Sequence, residues 1–419
     1  MSKTMFRKMT EQSRRWIPLA LAVALGACTT TPAPPPSKVA QPVPVLPFEE
    51  AMLKAANDLF TKAQWSSDDP VSAGKHTLLI DPLVDGMTGY QSTATLSMQS
   101  RIEQLVRDQY PQFDVQPFLA SNVDQSPIVL VGTFTPINRE GKTEGTREAY
   151  RICLALTDLK SGTIVSKGVA RAKIEGVDAT PTRYFRDSPA WTKDPAIEGY
   201  IKTCQGTKPG DPINSVYVNR IKAAALISEA IEAYNEGKYQ QALDRYTEVL
   251  RSPEGDQLRT YNGIYLANWQ LGHRSAAAES FGKIVDYGLA NQKLAMKFLF
   301  KPGSTGFLPN PRIAAPYPLW LNQIATHTAK RNTCLEIAGH TSPTGPQPFN
   351  ERLSLRRAES IQQRLKSQNP QLSKRTIAIG KGSRENLVGT GADDLSDALD
   401  RRVDFQVIDC RAPGSSPTI

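Results

Sequence analysis

The sequence predicts a multidomain protein of the α/β (α+β) class. Its 419 residues exceed what one hydrophobic core ordinarily holds. Residues 48–214 alternate strand and helix patterns, as a mixed-sheet α/β domain does, and residues 291–411 resume the alternation as a β/α domain. Between them, residues 215–290 carry a repeated helical pattern. Residues 412–419 form a short tail.

Composition is that of a globular protein and excludes a nucleic-acid-binding role. Apolar residues make up 40% of the chain and charged residues 22%. The formal net charge is +9, of which residues 1–27 contribute +4. The remaining +5 is spread over the rest of the chain without the clustered Lys/Arg field that nucleic-acid binding requires.

The first 27 residues have the pattern of an export signal. A basic segment ends at Arg15, and the apolar run over residues 16–25 is too short to span a bilayer permanently. The sequence Leu25-Gly26-Ala27-Cys28 resembles the lipobox of bacterial lipoproteins, which implies cleavage of residues 1–27 and attachment of fatty acyl chains such as palmitate at Cys28. Thr29 implies, by the same resemblance, sorting to the outer membrane, facing the periplasm. The alternative is an ordinary secretory signal with a coincidental cysteine.

Residues 28–47 are predicted to be a lipidated, Pro-rich tether. Their composition favours polyproline II, which extends by about 3.1 Å per residue. The segment therefore serves as a spacer between membrane and first domain.

Export determines how the other four cysteines are interpreted. No pair has the C-x-x-C spacing of a zinc or redox motif. In an oxidising periplasm, two disulfides within domains are expected, Cys153–Cys204 and Cys334–Cys410. Buried free thiols are the alternative.

The 48–214 region has the pattern of a mixed sheet with helices. An apolar strand over residues 77–80 precedes a helix that ends near Tyr110, and a second strand covers residues 127–133. Apolar and other residues alternate over 150–156, which predicts a half-buried strand. A turn then leads to its hairpin partner, residues 163–170.

This region resembles a group of periplasmic lipoproteins. The string LVGTFTPINREGKTEGTREAYRICLALTDLKSGTIVSKGVA, residues 130–170, is similar to lipoproteins that activate penicillin-binding proteins and to the curli-secretion and flagellar-accessory lipoproteins of related fold. The resemblance lies in the order of strands and turns, and it implies contact with a protein partner.

Residues 177–213 show little periodicity and are predicted to be a long ordered loop. Tyr184, Phe185, Trp191 and Tyr200 within it are interpreted either as a partner-binding surface or as a small satellite core, with the core favoured.

The 215–290 region repeats with a period of 35 residues. Gly237, Ala242 and Tyr246 recur in register as Gly272, Ala277 and Phe281. The pattern resembles tetratricopeptide repeats, in which small residues let paired helices approach and aromatic residues fill the space between them. The resemblance implies contact with an unknown protein partner, and a structural spacer is the alternative.

The C-terminal region carries β/α signals and three ordered motifs. Strands are predicted over residues 294–300, 334–339, 375–379 and 403–408, with helices ending near Lys330 and spanning 350–367. The motifs are GHTSPTG at 339–345, NERLSLRRA at 350–358 and DRRV at 400–403. They are similar to GHTDxxG, NxxLSxRRA and NRRV of the OmpA-like domain, a peptidoglycan-binding family.

The resemblance implies non-covalent recognition of the peptidoglycan stem peptide. The diaminopimelate of that peptide carries both ammonium and carboxylate groups. Arg357 occupies the position of the family's carboxylate-binding arginine, a planar fork suited to a planar carboxylate. Ser342 stands where the family has its ammonium-binding aspartate, so that charge is missing here. Asn350 and Arg402 are expected to order the loop and helix.

No catalytic, metal-binding or cofactor-binding pattern emerges. The four histidines are scattered, and no Ser/His/Asp or metal-ligand spacing is present in the sequence. We therefore expect a non-enzymatic protein without cofactors, which is anchored in the outer membrane, binds peptidoglycan and scaffolds envelope partners. The alternative is a regulator of a peptidoglycan synthase or an accessory of a secretion machine.

Overall fold

A computed structural model describes residues 44–63, 75–125, 127–191, 194–252, 254–301, 303–391 and 398–410, which all belong to one compact unit. The predicted signal segment, Cys28, nearly all of the tether and the C-terminal tail lie outside the described residues. The mixed α/β character predicted from the sequence is confirmed. Within the described ranges, no helix is long and apolar enough to cross a membrane.

The N-terminal sheet has the order β1-β7-β6-β5-β2-β4, and β3 pairs with β5. Strands β5, β6 and β7 are antiparallel neighbours, while β1, β2, β3 and β4 pair in parallel. The strands are β1 (Val45–Leu46), β2 (His76–Ile80), β3 (Val84–Asp85), β4 (Phe113–Gln116), β5 (Ile128–Ile137), β6 (Ala149–Asp158) and β7 (Thr163–Lys173).

Helices cover both faces of this sheet. On one face pack α1 (Phe48–Thr61) and α2 (Thr93–Gln109), where Ser92 and Thr95 form a reciprocal capping box at the start of α2. The other face is covered by residues of the later helices α5 (Pro195–Cys204), α6 (Ser215–Val218) and α7 (Ile221–Asn235). The short helix α3 (Ala120–Val123) lies between β4 and β5.

Strand β6 corrects the prediction of a half-buried strand. Cys153 and Ala155, which alternate with the apolar face, are also buried, at 3% and 0% exposure. They belong to the hydrophobic cluster formed with α5, α6 and α7, so the strand has a core on each side. The small side chains on the second face let these helices pack against it. An alternating sequence pattern does not reveal that both faces of a strand are buried.

The segment predicted as a loop, residues 177–213, contains regular structure. It includes α4 (Arg183–Asp187), the short strand β8 (Ala190–Trp191) and the ten-residue helix α5. Asp194 caps α5 through its side chain, and Pro195 begins it. The four aromatic residues singled out from the sequence are all buried, so they form core and not a partner-binding surface: Tyr184, Phe185, Trp191 and Tyr200.

Four consecutive helices occupy the region of the 35-residue period: α7, α8 (Tyr239–Arg251), α9 (Leu258–Gln270) and α10 (Arg274–Ala290). Gly237 and Gly272 follow the ends of α7 and α9 with φ of 81° and 79°, which explains the repeated glycine. Tyr246 and Phe281 are fully buried, and Tyr246 packs against Gly263 so closely that a Cβ there would enter its ring.

The C-terminal sheet has the order β11-β10-β12-β9-β8. Its strands are β9 (Lys293–Met296), β10 (Cys334–His340), β11 (Thr376–Gly382) and β12 (Val403–Ile408), with β8 contributed by the earlier segment. Its helices are α11 (Pro311–Ala314), α12 (Tyr317–Lys330) and α13 (Gln347–Gln368), and 3-10 turns cover Pro370–Lys374 and Ala398–Arg401.

Strand β9 is shorter than the predicted 294–300 strand. It ends at Met296, opposite Ala190, where its β8 partner begins. The next residue, Lys297, directs its amine to the carbonyl oxygens of Phe185 and Arg186, at 2.7 and 3.0 Å. The backbone amide of Lys297 still donates to the carbonyl oxygen of Pro189 at 3.0 Å, and no β-ladder pair follows it among the described residues.

Packing continues across the boundaries predicted near residues 214 and 290. One hydrophobic cluster runs from Tyr184 through Tyr234 and Phe281 to Phe405. Together with the β8–β9 pairing, this places the central helices and the C-terminal sheet in one shared core.

Both expected cysteine pairs are disulfide-bonded in the structure. Cys153 of β6 is joined to Cys204 at the end of α5, with Cα atoms 6.2 Å apart. Cys334 at the start of β10 is joined to Cys410 after β12, with Cα atoms 5.4 Å apart.

Candidate functional site

The GHTSPTG motif forms the end of β10 and the loop that leads into α13. A Cβ on Gly339 would overlap the backbone of Ser354, so glycine here lets the helix pack directly on the strand. Gly345 has φ of 90°, a left-handed conformation that favours glycine. Two of the motif's residues are therefore explained by backbone geometry alone.

Asn350 fixes the shape of this loop. It lies in the first turns of α13 and is 3% exposed. Its Nδ2 donates to the carbonyl oxygens of Ser342, Thr344 and Gly345, at 3.4, 3.0 and 3.5 Å. The structure thus brings Asn350 and Ser342 together, through the backbone of Ser342. The side chain of Ser342 is buried in the same loop, with 6% exposure of the residue.

Arg357 lies two helical turns beyond Asn350 and contacts a different segment. Its Nε donates to the carbonyl oxygen of Ser304 at 3.2 Å, and its Nη2 to that of Lys301 at 3.3 Å. Its guanidinium carbon also lies 4.9 Å from the centre of the Phe300 ring, a cation–π contact. The residue is 5% exposed.

The segment that covers Arg357 begins at Phe300 and ends at Phe307. These two residues form an antiparallel bridge, and the amide of Lys301 donates to the carbonyl of Gly306 at 2.9 Å. Arg364, two turns further along α13, lies 4.5 Å from the Phe307 ring centre. Two arginines of one helix therefore hold this turn through aromatic contacts.

Arg402 has its side chain in the interior, and its backbone carbonyl accepts from the amide of His340 at 3.0 Å. Arg402 is 2% exposed and meets Asp404 twice, Nε to Oδ1 at 3.0 Å and Nη2 to Oδ2 at 3.3 Å. Its Nη1 donates to the carbonyl oxygens of Glu385 and Leu399, at 3.2 and 3.3 Å. The described contacts of Arg402 order the segment before β12 and do not include Ser342, Asn350 or Arg357.

His340 completes this buried polar group. Its Nε2 lies 3.2 Å from Asp404 Oδ2. Burial lowers the pKa of His340, so the ring is neutral at neutral pH. Burial alone would raise the pKa of Asp404, but the hydrogen bond from His340 and the charge of Arg402 outweigh it and hold the pKa well below its usual range. Asp404 is therefore ionised.

Asp400, which replaces the asparagine of the NRRV motif, binds backbone. Its carboxylate accepts from the amides of Leu387, Val388 and Gly389 at 2.6, 3.0 and 2.7 Å. Asn386, next to this segment, donates to the carbonyl oxygen of Thr341 at 2.9 Å. The 386–389 segment therefore links the third motif to the first.

Sequence reasoning missed Asp404 and Asn386. Asp404 had a usable signal, because it follows Arg402, the residue just before β12, at the i+2 spacing that puts side chains of an extended chain on one face. An inward-facing charged pair on a strand is uncommon unless the charges pair with each other. Asn386 had no local signal, since its partner Thr341 is distant in the chain.

The described residues contain no group of three or more His, Cys, Asp or Glu side chains arranged to hold a metal ion.

Comparison with known proteins identifies the C-terminal region. Residues 299–398 match the model of the OmpA family, so the chain contains an OmpA family domain. No curated protein matches the chain.

Several solved structures are similar. The peptidoglycan-associated lipoprotein from Burkholderia pseudomallei is 23% identical over 29% of this chain and 93% of its own, with a TM-score of 0.22. The cell wall anchor of the type VI secretion system from Pseudomonas aeruginosa is 24% identical over 27% and 79%, with a TM-score of 0.23. An outer membrane protein from Borrelia burgdorferi is 22% identical over 28% and 88%, with a TM-score of 0.22.

Proposed function

We propose that this protein is a lipid-anchored component of the outer membrane that faces the periplasm, binds the peptidoglycan stem peptide without covalent chemistry and scaffolds envelope partners. One observation carries the wall-binding part. Within the OmpA family domain, helix α13 carries both Asn350, which fixes the loop that contains Gly345, and Arg357, the arginine of the motif, two helical turns further on.

The chemistry of Arg357 favours a carboxylate ligand. Its guanidinium now binds the neutral carbonyls of Lys301 and Ser304 at 3.2–3.3 Å. A carboxylate is a stronger acceptor for a guanidinium than a neutral carbonyl, because both partners then carry charge and the pair can be bidentate. A stem-peptide carboxylate would therefore bind by replacing these carbonyls, which requires the Phe300–Phe307 turn to move aside.

Ser342 sets a limit on the strength of the contact. Its hydroxyl accepts a hydrogen bond from an ammonium group but offers no charge. Replacement of a charged partner by a neutral one costs about 1.5–3 kcal/mol of binding. Modest wall affinity suffices in an anchored protein, since linkage of two weak contacts raises the effective concentration of the second.

The remaining parts of the proposal rest on the sequence. The lipobox-like Leu25–Cys28 segment supports acylation at Cys28, and Thr29 supports retention in the outer membrane. The 35-residue helical period supports a protein partner on α7–α10. A non-enzymatic role is part of the proposal, with the stem peptide bound and not altered.

Co-sedimentation with purified sacculi tests the wall contact. The fragment 29–419 keeps every described residue and lacks the acylated cysteine. We expect it to pellet with sacculi, and Arg357→Ala to remain in the supernatant. Arg356→Ala is the matched control, because Arg356 is the exposed neighbour on the same helix. Absence of pelleting for the unmodified fragment would contradict the proposal.

A further inference from the structure

A cavity of about 740 Å³ lies where the N-terminal sheet, the central helices and the C-terminal region meet. Its lining includes Phe134 of β5, Tyr150 of β6, Trp269 of α9 and Trp320 of α12. The volume falls in the range of small-molecule sites, about 300–1,000 Å³. Arg357, Ser342 and Asn350 do not line it, so it is separate from the candidate wall-binding site.

Aromatic rings line the cavity both on the sheet side and on the helical side. On the sheet side, Phe134 and Tyr150 stack with centroids 4.0 Å apart and planes inclined by 21°. On the helical side, Tyr265 and Trp320 meet edge to face at 6.4 Å, and the indole Nε1 of Trp320 donates to the hydroxyl of Tyr265 at 2.7 Å. These contacts fix the rings in place. Aromatic side chains that are already fixed bind ligands that contain a ring with little loss of side-chain entropy.

The two acids in the wall are already engaged. Asp187 lies 3.3 Å from Arg186 and 3.8 Å from Arg183, and it accepts from the hydroxyl of Tyr234 at 3.1 Å. Asp85 accepts from the amides of Met87 and Thr88 and from the Thr88 hydroxyl. Asp187 is therefore paired with arginines, and Asp85 is hydrogen-bonded within its own turn.

Two basic side chains in the wall have no acidic partner in salt-bridge contact among the described residues, and burial lowers the pKa of one of them, Lys297, to about 7. Lys297 donates two of its three ammonium hydrogens to backbone carbonyls, at 2.7 and 3.0 Å. The guanidinium of Arg312, on α11, meets no acidic side chain among the residues that the structure describes. The lining holds three arginines besides Lys297 and two acids, so the arginines alone leave a surplus of positive charge.

We infer that this cavity binds a small organic carboxylate that carries a ring, with the ring between the aromatic faces and the carboxylate paired with Arg312. An arginine fork matches a planar carboxylate in geometry, and Arg312 lies on the exposed side of the lining. Such a ligand would contact all three parts of the unit at once. The site is independent of the proposed wall binding.

The test uses 1-anilinonaphthalene-8-sulfonate, a ring-bearing anion whose absorption overlaps tryptophan emission. We expect saturable binding of this probe to the 29–419 chain, with energy transfer from the tryptophans. Trp269→Phe should lower the transfer, and Arg312→Ala should weaken binding about tenfold. Arg101→Ala, an exposed arginine on α2 that does not line the cavity, should leave both unchanged.

Competition then distinguishes the source of the ring. N-acetylmuramic acid represents a sugar acid, 2-naphthoic acid an aromatic acid, and decanoic acid a carboxylate without a ring. Displacement of the probe by either ring acid at lower concentration than by decanoic acid supports the assignment. More effective displacement by decanoic acid, no displacement by any acid, or unchanged affinity in Arg312→Ala overturns it. Thermal midpoints of the variants verify that each is folded.

Discussion

Arg357 Nε lies 3.2 Å from the carbonyl oxygen of Ser304, so the arginine expected to hold a ligand carboxylate also fastens the Phe300–Phe307 turn to α13. The side chain has a structural role in the free protein and a proposed binding role in the complex. Any substitution of Arg357 therefore changes two properties, the stability of the turn and the affinity for the wall.

Arg357→Ala should lower the free energy of unfolding as well as wall binding. The change removes two hydrogen bonds from a charged donor and a cation–π contact with Phe300, which together are worth about 3 kcal/mol or more. Urea unfolding followed by circular dichroism measures the loss, with Arg356→Ala as control. An unchanged unfolding midpoint would show that the turn does not depend on Arg357.

Ser342→Asp should tighten sacculus binding about tenfold. The new carboxylate would supply a negatively charged partner for the ammonium group of the ligand, which the neutral Ser342 does not offer. Asn350 already holds the backbone of residue 342. Co-sedimentation at graded sacculus concentrations gives the affinity, and Ser342→Ala is the neutral control. If the aspartate variant binds no better than wild type, the loop does not face an ammonium group.

Arg402→Met should destabilise the fold by about 3–5 kcal/mol without any direct effect on the loop. The change leaves the ionised Asp404 buried. Its remaining side-chain partners are then His340 at 3.2 Å and Lys293 at 3.6 Å. Arg384→Ala, which breaks an exposed ion pair with Glu351, should cost less than about 1 kcal/mol. Chemical denaturation of both variants makes the comparison. A loss for Arg402→Met as small as that of the control would contradict the buried pairing.

Local sequence signals predicted the elements and part of the site. Strand β12 begins and ends at the predicted residues, and the glycines of the first motif are explained by Gly339's close approach to α13 and Gly345's positive φ. These features depend on neighbouring residues and backbone geometry, which sequence patterns express directly.

Contacts between distant segments were not predictable in the same way. The β8–β9 pairing joins residues about a hundred positions apart, and β8 has only two residues, too few for a periodic signal. The partners of Arg357 are backbone carbonyls, which leave no mark in the sequence. The motif of Arg402 predicted a role in ordering the loop and helix. Its contacts with Asp404 and with the carbonyl oxygen of Leu399 lie in the interior and could not be read from the motif.

Cys153→Ala/Cys204→Ala should destabilise the protein by about 2–5 kcal/mol. The bond closes a long loop and ties the end of α5 to β6 within a buried cluster. Because Cys204 and its neighbours cover the second face of the sheet, amide protection should fall there first. Hydrogen exchange read by mass spectrometry over residues 195–204 checks this, with the Cys334→Ala/Cys410→Ala variant as control for loss of a disulfide elsewhere. Equal loss of protection in both variants would contradict a local role.

Asp81 should make the protein less stable at pH 8 than at pH 5. Burial raises the pKa of Asp81 to about 7, although the hydroxyl of Tyr217 donates to its carboxylate at 2.7 Å and opposes the rise. The folded state therefore binds a proton more tightly than the unfolded chain, whose aspartate has an ordinary pKa near 3.9. The stability associated with this proton is fully present below the unfolded pKa and is lost as pH rises to about 7, by up to about 4 kcal/mol.

Asp81→Asn keeps an acceptor for Tyr217 and should flatten this part of the profile. Urea unfolding from pH 4.5 to 8 compares the two proteins, and the difference between them isolates Asp81 from Asp85, whose pKa burial raises to about 6. Parallel profiles for wild type and Asp81→Asn would rule out the linkage.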